Sequence, residues 1–433
     1  MKRWIIIFPL IILSACHKKE GLSYITPDAV KRYFDTISVV CNSDNGRLWG
    51  ENLYGPVLFI DNRTRNVYAN VQDKKGLLKP RGGIFTGVFP KERLIVTNSV
   101  EYGGTKYAMV PLPNEEDNYR ITSRAIHSLF HCYQERHNIS TNRYSVTHMN
   151  EDNARLLLKL EWKALANALK TKDAARDQAI RDALVFRGAR RELYPGGIRD
   201  ENEFECMEGL ATFTYMTLCS KSKDEFNTRL TDYLDRMYKN PSYPLSYGFI
   251  HGALYAALLK DKGFDFRQID SINFDLGGAT GKLYNIKMPE YCRDIAASLA
   301  MAYDLKSIKA EEKEIKKKTG DYTSKLVNDY TGKPSVKIIL ESPNFSFEPD
   351  DIFSLDTLGT FYKKIRVYDN WGKLTVDDGG ALISTDLKVL WVNASYINTD
   401  HNRITGDGWK LNLNEGWHLI ETGENFSVIK INN

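Results

Sequence analysis

Between Ser123 and Arg136 lie the residues best suited to chemistry in this sequence: His127 and His131, with Ser128 between them and Gln134 just beyond. On a helix, side chains four apart share a face, so both imidazoles point the same way. Two nitrogens so placed can bind one tetrahedral ion at about 2.0–2.1 Å each. The pair alone is a weak signal, because the chain holds eight histidines and such a spacing also arises by chance. Two polar residues at the exposed edge of a core helix are the plain alternative. A second segment strengthens the metal reading. Glu205-Cys-Met-Glu208-Gly209-Leu-Ala211 falls on a later helix whose apolar face is Phe204, Met207, Ala211 and Leu218. The small Gly209 and Ala211 let another helix come close to Glu208. A carboxylate there completes a two-histidine, one-carboxylate zinc site with its fourth position open. On that segment alone, a surface glutamate at a helix start fits equally well.

In this combination the chain resembles the gluzincin-type zinc metallopeptidases, which carry His-Glu-x-x-His on one helix and Glu-Gly-x-Ala on a later one. It is closer still to a group of bacterial exported proteins. The shared features are Gly46-Arg47-Leu48-Trp49-Gly50, Gly82-Gly83-Ile84-Phe85-Thr86-Gly87, Leu160-Glu161-Trp162-Lys163-Ala164-Leu165, Phe186-Arg187 and Ala189-Arg190-Arg191. The likeness runs from about Arg47 to Trp417. It implies a zincin-like helical domain, with His127 and His131 as the first two metal ligands, Glu208 as the third and zinc as the ion. Ser128 departs from the pattern at its most important place, where the family has its catalytic glutamate.

That departure has a chemical cost. A positioned acid–base group contributes on the order of 10²–10⁴-fold, and a serine hydroxyl accepts no proton near neutral pH. Metal binding can survive, since position 128 is not a ligand. Hydrolysis needs a substitute carboxylate, and Glu135, Glu151, Glu161 and Glu205 are candidates by nearness in sequence. Gln134, Glu161, Glu205 and His148 are candidates for the outer layer that orients metal ligands, against capping, surface or loop roles. Tyr247 and His251 are candidates for polarising a carbonyl across the cleft, although a tyrosine in an Ala/Leu-rich helix is usually core. His137 reads as a charge at a helix end, and Cys132 as packing.

The elements that must position these groups follow from the pattern. The segment 38–115 reads as short strands, among them Arg47-Leu-Trp-Gly, Val57-Leu-Phe-Ile and Asn66-Val-Tyr-Ala, punctuated by Asn45-Gly46 and Asp61-Asn62. The segment 116–332 turns helical, with helices predicted over 120–136, 151–170, 172–193, 201–218, 223–238, 246–260, 289–303 and 307–328. Pro195-Gly196-Gly197 is a break. The lysines and glutamates of the last helix read as a solvated face. The segment 333–433 returns to strands, predicted around 336–340, 364–368, 388–392, 409–413 and 426–431, with the spacing of a small β-sandwich. The expected architecture is α+β and multidomain.

The beginning of the chain sets the compartment. Lys2 and Arg3 precede an apolar run from Trp4 to Leu13, which suits a signal sequence and is too short to span a bilayer. The run ends in Leu13-Ser14-Ala15-Cys16, which resembles the lipobox of bacterial lipoproteins. That resemblance implies cleavage after residue 15, acylation of Cys16 and a membrane anchor, followed by a tether over 16–37. Net charge is +4, with no basic footprint for nucleic acid. Five cysteines follow Cys16; an odd number without a CxxC pair assigns no disulfide. The expectation is an envelope lipoprotein, periplasmic or surface-facing, with a metallopeptidase-like domain short of its base. It is partnered by the bilayer and by a peptide or protein ligand. An active zinc peptidase with a substitute base and a metal-free scaffold are the alternatives.

Overall fold

The computed structural model describes residues 25–431 except 63, 91–92, 94, 113–116, 142–143, 241, 333, 348–351 and 356–357. The expected signal segment and Cys16 lie outside the described residues. Thr26 opens the first helix, α1 (Pro27–Asp44), by accepting a hydrogen bond from Ala29 N–H, with Pro27 preset for the first turn. Val30, Phe34, Ile37 and Cys41 form its buried stripe and join the main core. From Pro27 on, this corrects the expected tether over 16–37, and it corrects the expected start of strand structure at 38. Apolar residues at helical spacing outweigh the polar character of the segment. The predicted strand at Arg47–Gly50 is likewise a turn, in which Trp49 is buried and donates from Nε1 to Thr214 Oγ1 at 3.0 Å.

Six strands follow: β1 (Val57–Asp61), β2 (Asn66–Ala69), β3 (Lys79–Arg81), β4 (Ile84–Val88), β5 (Asn98–Tyr102) and β6 (Thr105–Leu112). They form one sheet in the order β3-β4-β2-β1-β6-β5, antiparallel except where β1 and β6 run parallel. The strand period of two divides the sheet between two cores. Val57, Phe59, Ala108 and Val110 face the helices, while Leu58, Ile60, Tyr107 and Met109 face a second, smaller cluster.

The helical region packs on the first of those faces. It comprises α2 (Asn118–Arg136), α3 (Asp152–Lys170), α4 (Asp173–Leu193), α5 (Ile198–Phe204), α6 (Leu210–Cys219), α7 (Lys223–Tyr238), α8 (Tyr247–Asp261), α9 (Leu276–Leu283), α10 (Cys292–Leu299) and α11 (Leu305–Thr331). The helix expected over 201–218 is present, but it carries a π-turn, Glu205–Gly209, between α5 and α6. The glycine-rich α9 was not expected. Asp275 caps it by accepting from Gly278 N–H. None of the described helices is long and apolar enough to cross a membrane.

Beyond α11 the chain forms a seven-stranded and a six-stranded sheet. Val336, Ile338 and Leu390 from one meet Val367, Leu374 and Leu411 from the other in a common core, as a sandwich requires. Asn344 of this region accepts a hydrogen bond from Ile95 N–H at 3.0 Å, tying it to the loop before β5.

Candidate metal centre

Asp117 caps α2 by accepting from Arg120 N–H, and Ile121, Ala125, Leu129 and Phe130 bury the helix. Its remaining face carries His127 and His131 towards the π-turn. His131 Nε2 lies 2.9 Å from His127 Nε2. Glu208 Oε2 lies 3.2 Å from His127 Nε2 and 3.7 Å from His131 Nε2. His131 is 1% exposed, against 12% and 13% for His127 and Glu208, so the open side of the cluster is the side of the latter two.

The π-turn is what aims Glu208. Leu210 N–H reaches back five residues to the Glu205 carbonyl, where an α-helix would bond it to Cys206. Such turns occur mostly as single insertions at functional sites. The small residues serve the predicted purpose. A Cβ on Gly209 would stand 2.5 Å from the Gly252 Cα and 2.7 Å from the Gly248 carbonyl of α8, closer than any side chain allows.

The Cys206 carbonyl released by the turn accepts from Gln134 Nε2 at 2.9 Å. That bond fixes the amide, so Gln134 Oε1 faces His131 Nδ1 at 2.8 Å and accepts its proton. The other ring nitrogen, Nε2, is then a bare lone pair directed at His127 and Glu208. Burial, reinforced by the adjacent His127, lowers the His131 pKa to about 4, so the ring is neutral at neutral pH. Burial pushes the Glu208 carboxyl up, but the His131 and His127 imidazoles outweigh it and the net shift is downward. A neutral imidazole beside a carboxylate is the protonation state that a cation needs.

Tyr144 was not foreseen. It stacks on Phe204 with ring centroids 4.4 Å apart, and its hydroxyl lies 3.5 Å from Glu208 Oε1, leaving Oε2 to the imidazoles. Burial, then the Glu208 charge, raises its pKa, so it stays a donor. A lone tyrosine in a loop carries no sequence signal for this placement. Phe249 lies parallel to the His127 ring at 6.3 Å and Tyr215 stands at 6.2 Å.

Ser128 is fully buried and donates from Oγ to the Met109 carbonyl of β6 at 3.0 Å. The carboxylates suggested as substitutes are engaged elsewhere or distant. Glu135 binds Ser99 Oγ and Lys106 Nζ on β5 and β6. Glu151 is exposed at the start of α3. Glu161 and Glu205 belong to a separate buried ionic cluster.

That cluster corrects most of the outer-layer expectations. Glu161 pairs with Arg190, accepts from Tyr255 at 2.5 Å and lies 3.1 Å from His251 Nε2; it touches no ligand histidine. Glu205 is held by both terminal nitrogens of Arg187, at 2.9 and 2.7 Å. His148 bonds Glu201 at 2.9 Å. His251 accepts from Trp162 Nε1 at 2.9 Å through Nδ1, and Tyr247 reaches the Glu201 carbonyl and Glu205 Oε1, each at 3.4 Å. Both Tyr247 and His251 are fully buried and are not placed to polarise a substrate carbonyl. Buried charges demand such partners, and the partners come from distant helices. His137 packs on Tyr133 and lies 3.6 Å from Glu51, and Cys132 is buried in the core.

The three converging atoms suit a metal ion by donor chemistry, and their separations come within about 0.4 Å of what tetrahedral zinc needs. Tetrahedral zinc with bonds of about 2.0–2.2 Å holds its ligand atoms roughly 3.3–3.6 Å apart, and the observed separations are 2.9, 3.2 and 3.7 Å. Among the described residues, His127, His131 and Glu208 form the one group of this kind. Comparison with family models, with curated proteins and with solved structures finds no match to this chain.

Proposed function

We propose that this chain is an envelope lipoprotein, anchored through acylated Cys16, whose helical domain is a metallopeptidase-like zinc-binding unit with an impaired hydrolytic centre. The observation that carries the reading is the convergence of His127 Nε2, His131 Nε2 and Glu208 Oε2 within 3.7 Å. The bare lone pair that Gln134 forces on His131 supports it. Bound there, zinc supplies a Lewis acid that polarises a carbonyl and acidifies water. His127, His131 and Glu208 hold the ion, and Tyr144 fixes one Glu208 oxygen. No proton acceptor stands at position 128, where the Ser128 hydroxyl is spent on Met109. Glu135, Glu161 and Glu205 are bound to cations or hydroxyls of their own, which disfavours a substitute base. The role that remains is to hold a peptide or protein ligand without cutting it.

Zinc content of the purified protein, measured beside His127→Ala and Glu208→Gln, tests this. One ion per chain in wild type and none in His127→Ala is expected. Wild type that takes up no zinc from a micromolar solution overturns the metal reading and leaves a scaffold. Chelator-sensitive peptide hydrolysis by wild type overturns the impairment. Loss of lipid labelling in Cys16→Ala checks the anchor.

A further inference from the structure

Glu205 and Glu208 are three residues apart, which on an α-helix would put both carboxylates on one face. Here they diverge. Glu205 turns to Arg187 on α4, and Glu208 turns to the two histidines on α2. The extra residue of the π-turn produces the divergence, and the same turn exposes the Cys206 carbonyl that Gln134 uses to orient His131. An α-helical turn would return that carbonyl to Leu210 N–H and swing Glu208 away from α2. Something must hold the wider turn. Glu205 is fully buried, and its carboxylate is gripped by both terminal nitrogens of Arg187, itself braced by Asp275 at 3.3 Å and Asn202 at 3.4 Å. A buried carboxylate cannot leave such a partner without being stranded as a charge in the interior.

We infer that the Arg187–Glu205 pair is a positioning device for the metal centre: it pins the π-turn so that Glu208 faces the histidines and the Cys206 carbonyl faces Gln134. Neither residue touches the ion; both act through the turn. The inference rests on the zinc reading for its first readout and not for its second.

Glu205→Gln is compared with Glu161→Gln. Glu161 is just as buried and belongs to the same cluster, 3.8 Å from Arg187, but bonds nothing in the turn. Zinc affinity of the full chain is measured by competition with a chromophoric chelator, and the Co²⁺-loaded proteins are compared by visible absorption. Glu205→Gln is expected to bind zinc about 10–100-fold more weakly and to alter the cobalt spectrum, with Glu161→Gln within about threefold of wild type. Equal losses in the two variants overturn the inference, because general loosening then explains both. Should Glu205→Gln fail to fold, Arg187→Lys, which keeps a cation, takes its place in the same comparison.

The second readout needs no metal. In the metal-free protein, ¹⁵N NMR is expected to show His131 protonated at Nδ1, and a mixture of tautomers in Glu205→Gln only. A wild type that takes up no zinc removes the zinc reading, and the tautomer result then decides the positioning role. An unchanged tautomer in Glu205→Gln overturns it.

Discussion

Gln134 Nε2 donates to the carbonyl of Cys206 at 2.9 Å, a carbonyl that an α-helical turn would have given to Leu210 N–H. Through that bond the backbone of the π-turn segment dictates the tautomer of a histidine on α2. The amide cannot flip without facing two acceptors or two donors together, so the lone pair at His131 Nε2 is a consequence of the π-turn.

Replacing Gln134 therefore acts on the metal through His131. Gln134→Leu removes the acceptor for Nδ1–H and strands the Cys206 carbonyl, and zinc affinity is expected to fall about 10–100-fold. Gln134→Glu keeps an acceptor for Nδ1–H and loses only the donor to Cys206, so its affinity is expected between the two. Chelator competition ranks the three proteins; Gln134→Glu falling below Gln134→Leu contradicts the account.

Ser128→Glu restores a carboxylate beside the histidines. It also deprives the Met109 carbonyl of its donor and places an acid where Ser128 is fully buried. The expected outcome has two parts. Thermal denaturation shifts to lower temperature, because forcing a larger side chain into a fully packed position costs about 1–3 kcal/mol. Peptide hydrolysis rises by at least about 10²-fold and is abolished by a chelator. A variant that loads zinc and stays inert means that the absent base is not what silences the site.

The convergence of His127, His131 and Glu208 was legible for unequal reasons. His127 and His131 lie on one helix, so their spacing alone predicts a shared direction. Glu208 was legible through the Glu-Gly-x-Ala pattern and its small neighbours, since Gly209 marks the close approach of α8. Position 205 was misread because the π-turn set within the helix over 201–218 leaves no periodic trace. Trp162 is joined to His251 across 89 residues of sequence and Glu161 to Tyr255 across 94, and a buried ionic cluster reads in sequence like surface charge. α1 was a different failure: Val30, Phe34, Ile37 and Cys41 carried the helical period, but their nearness to the signal segment argued for a linker. Of the strands in the last hundred residues, the five that were predicted lie at nearly their observed places, because alternation and glycine turns are local signals, while shorter strands such as Asn344–Ser346 and Ala381–Ile383 carry too few residues to show alternation.

Gly252→Ala tests the packing on which the turn depends. A Cβ there would meet the Glu205 carbonyl oxygen at 2.3 Å and the Gly209 Cα at 2.9 Å, both backbone atoms that cannot rotate aside. Overpacking of this kind costs about 1–3 kcal/mol or more. A lower melting temperature is expected together with weakened zinc binding, since the displaced carbonyl belongs to the π-turn. Gly263→Ala, at a positive φ with open space around it, is the contrasting control: a modest stability loss from backbone strain and unchanged zinc binding.

Asp275 ties the ionic cluster to acid stability. Burial raises its pKa, but Arg187 and Arg191 overcome that and hold it at about 2 against an ordinary 3.8. A carboxyl whose pKa is depressed in the fold stabilises the fold above its unfolded value and loses that contribution as pH falls through the folded one. Wild type is therefore expected to exceed Asp275→Asn in stability by a constant margin above about pH 4. The margin should shrink between pH 3.8 and 2 and vanish below. Asparagine still caps α9, so the comparison isolates the charge. The carboxylate is 40% exposed, and solvent screening keeps the plateau to the order of 1 kcal/mol, well below what the full shift implies. Urea unfolding at a series of pH values measures the margin; one that widens on acidification would show that Arg187 and Arg191 do not stabilise the Asp275 charge.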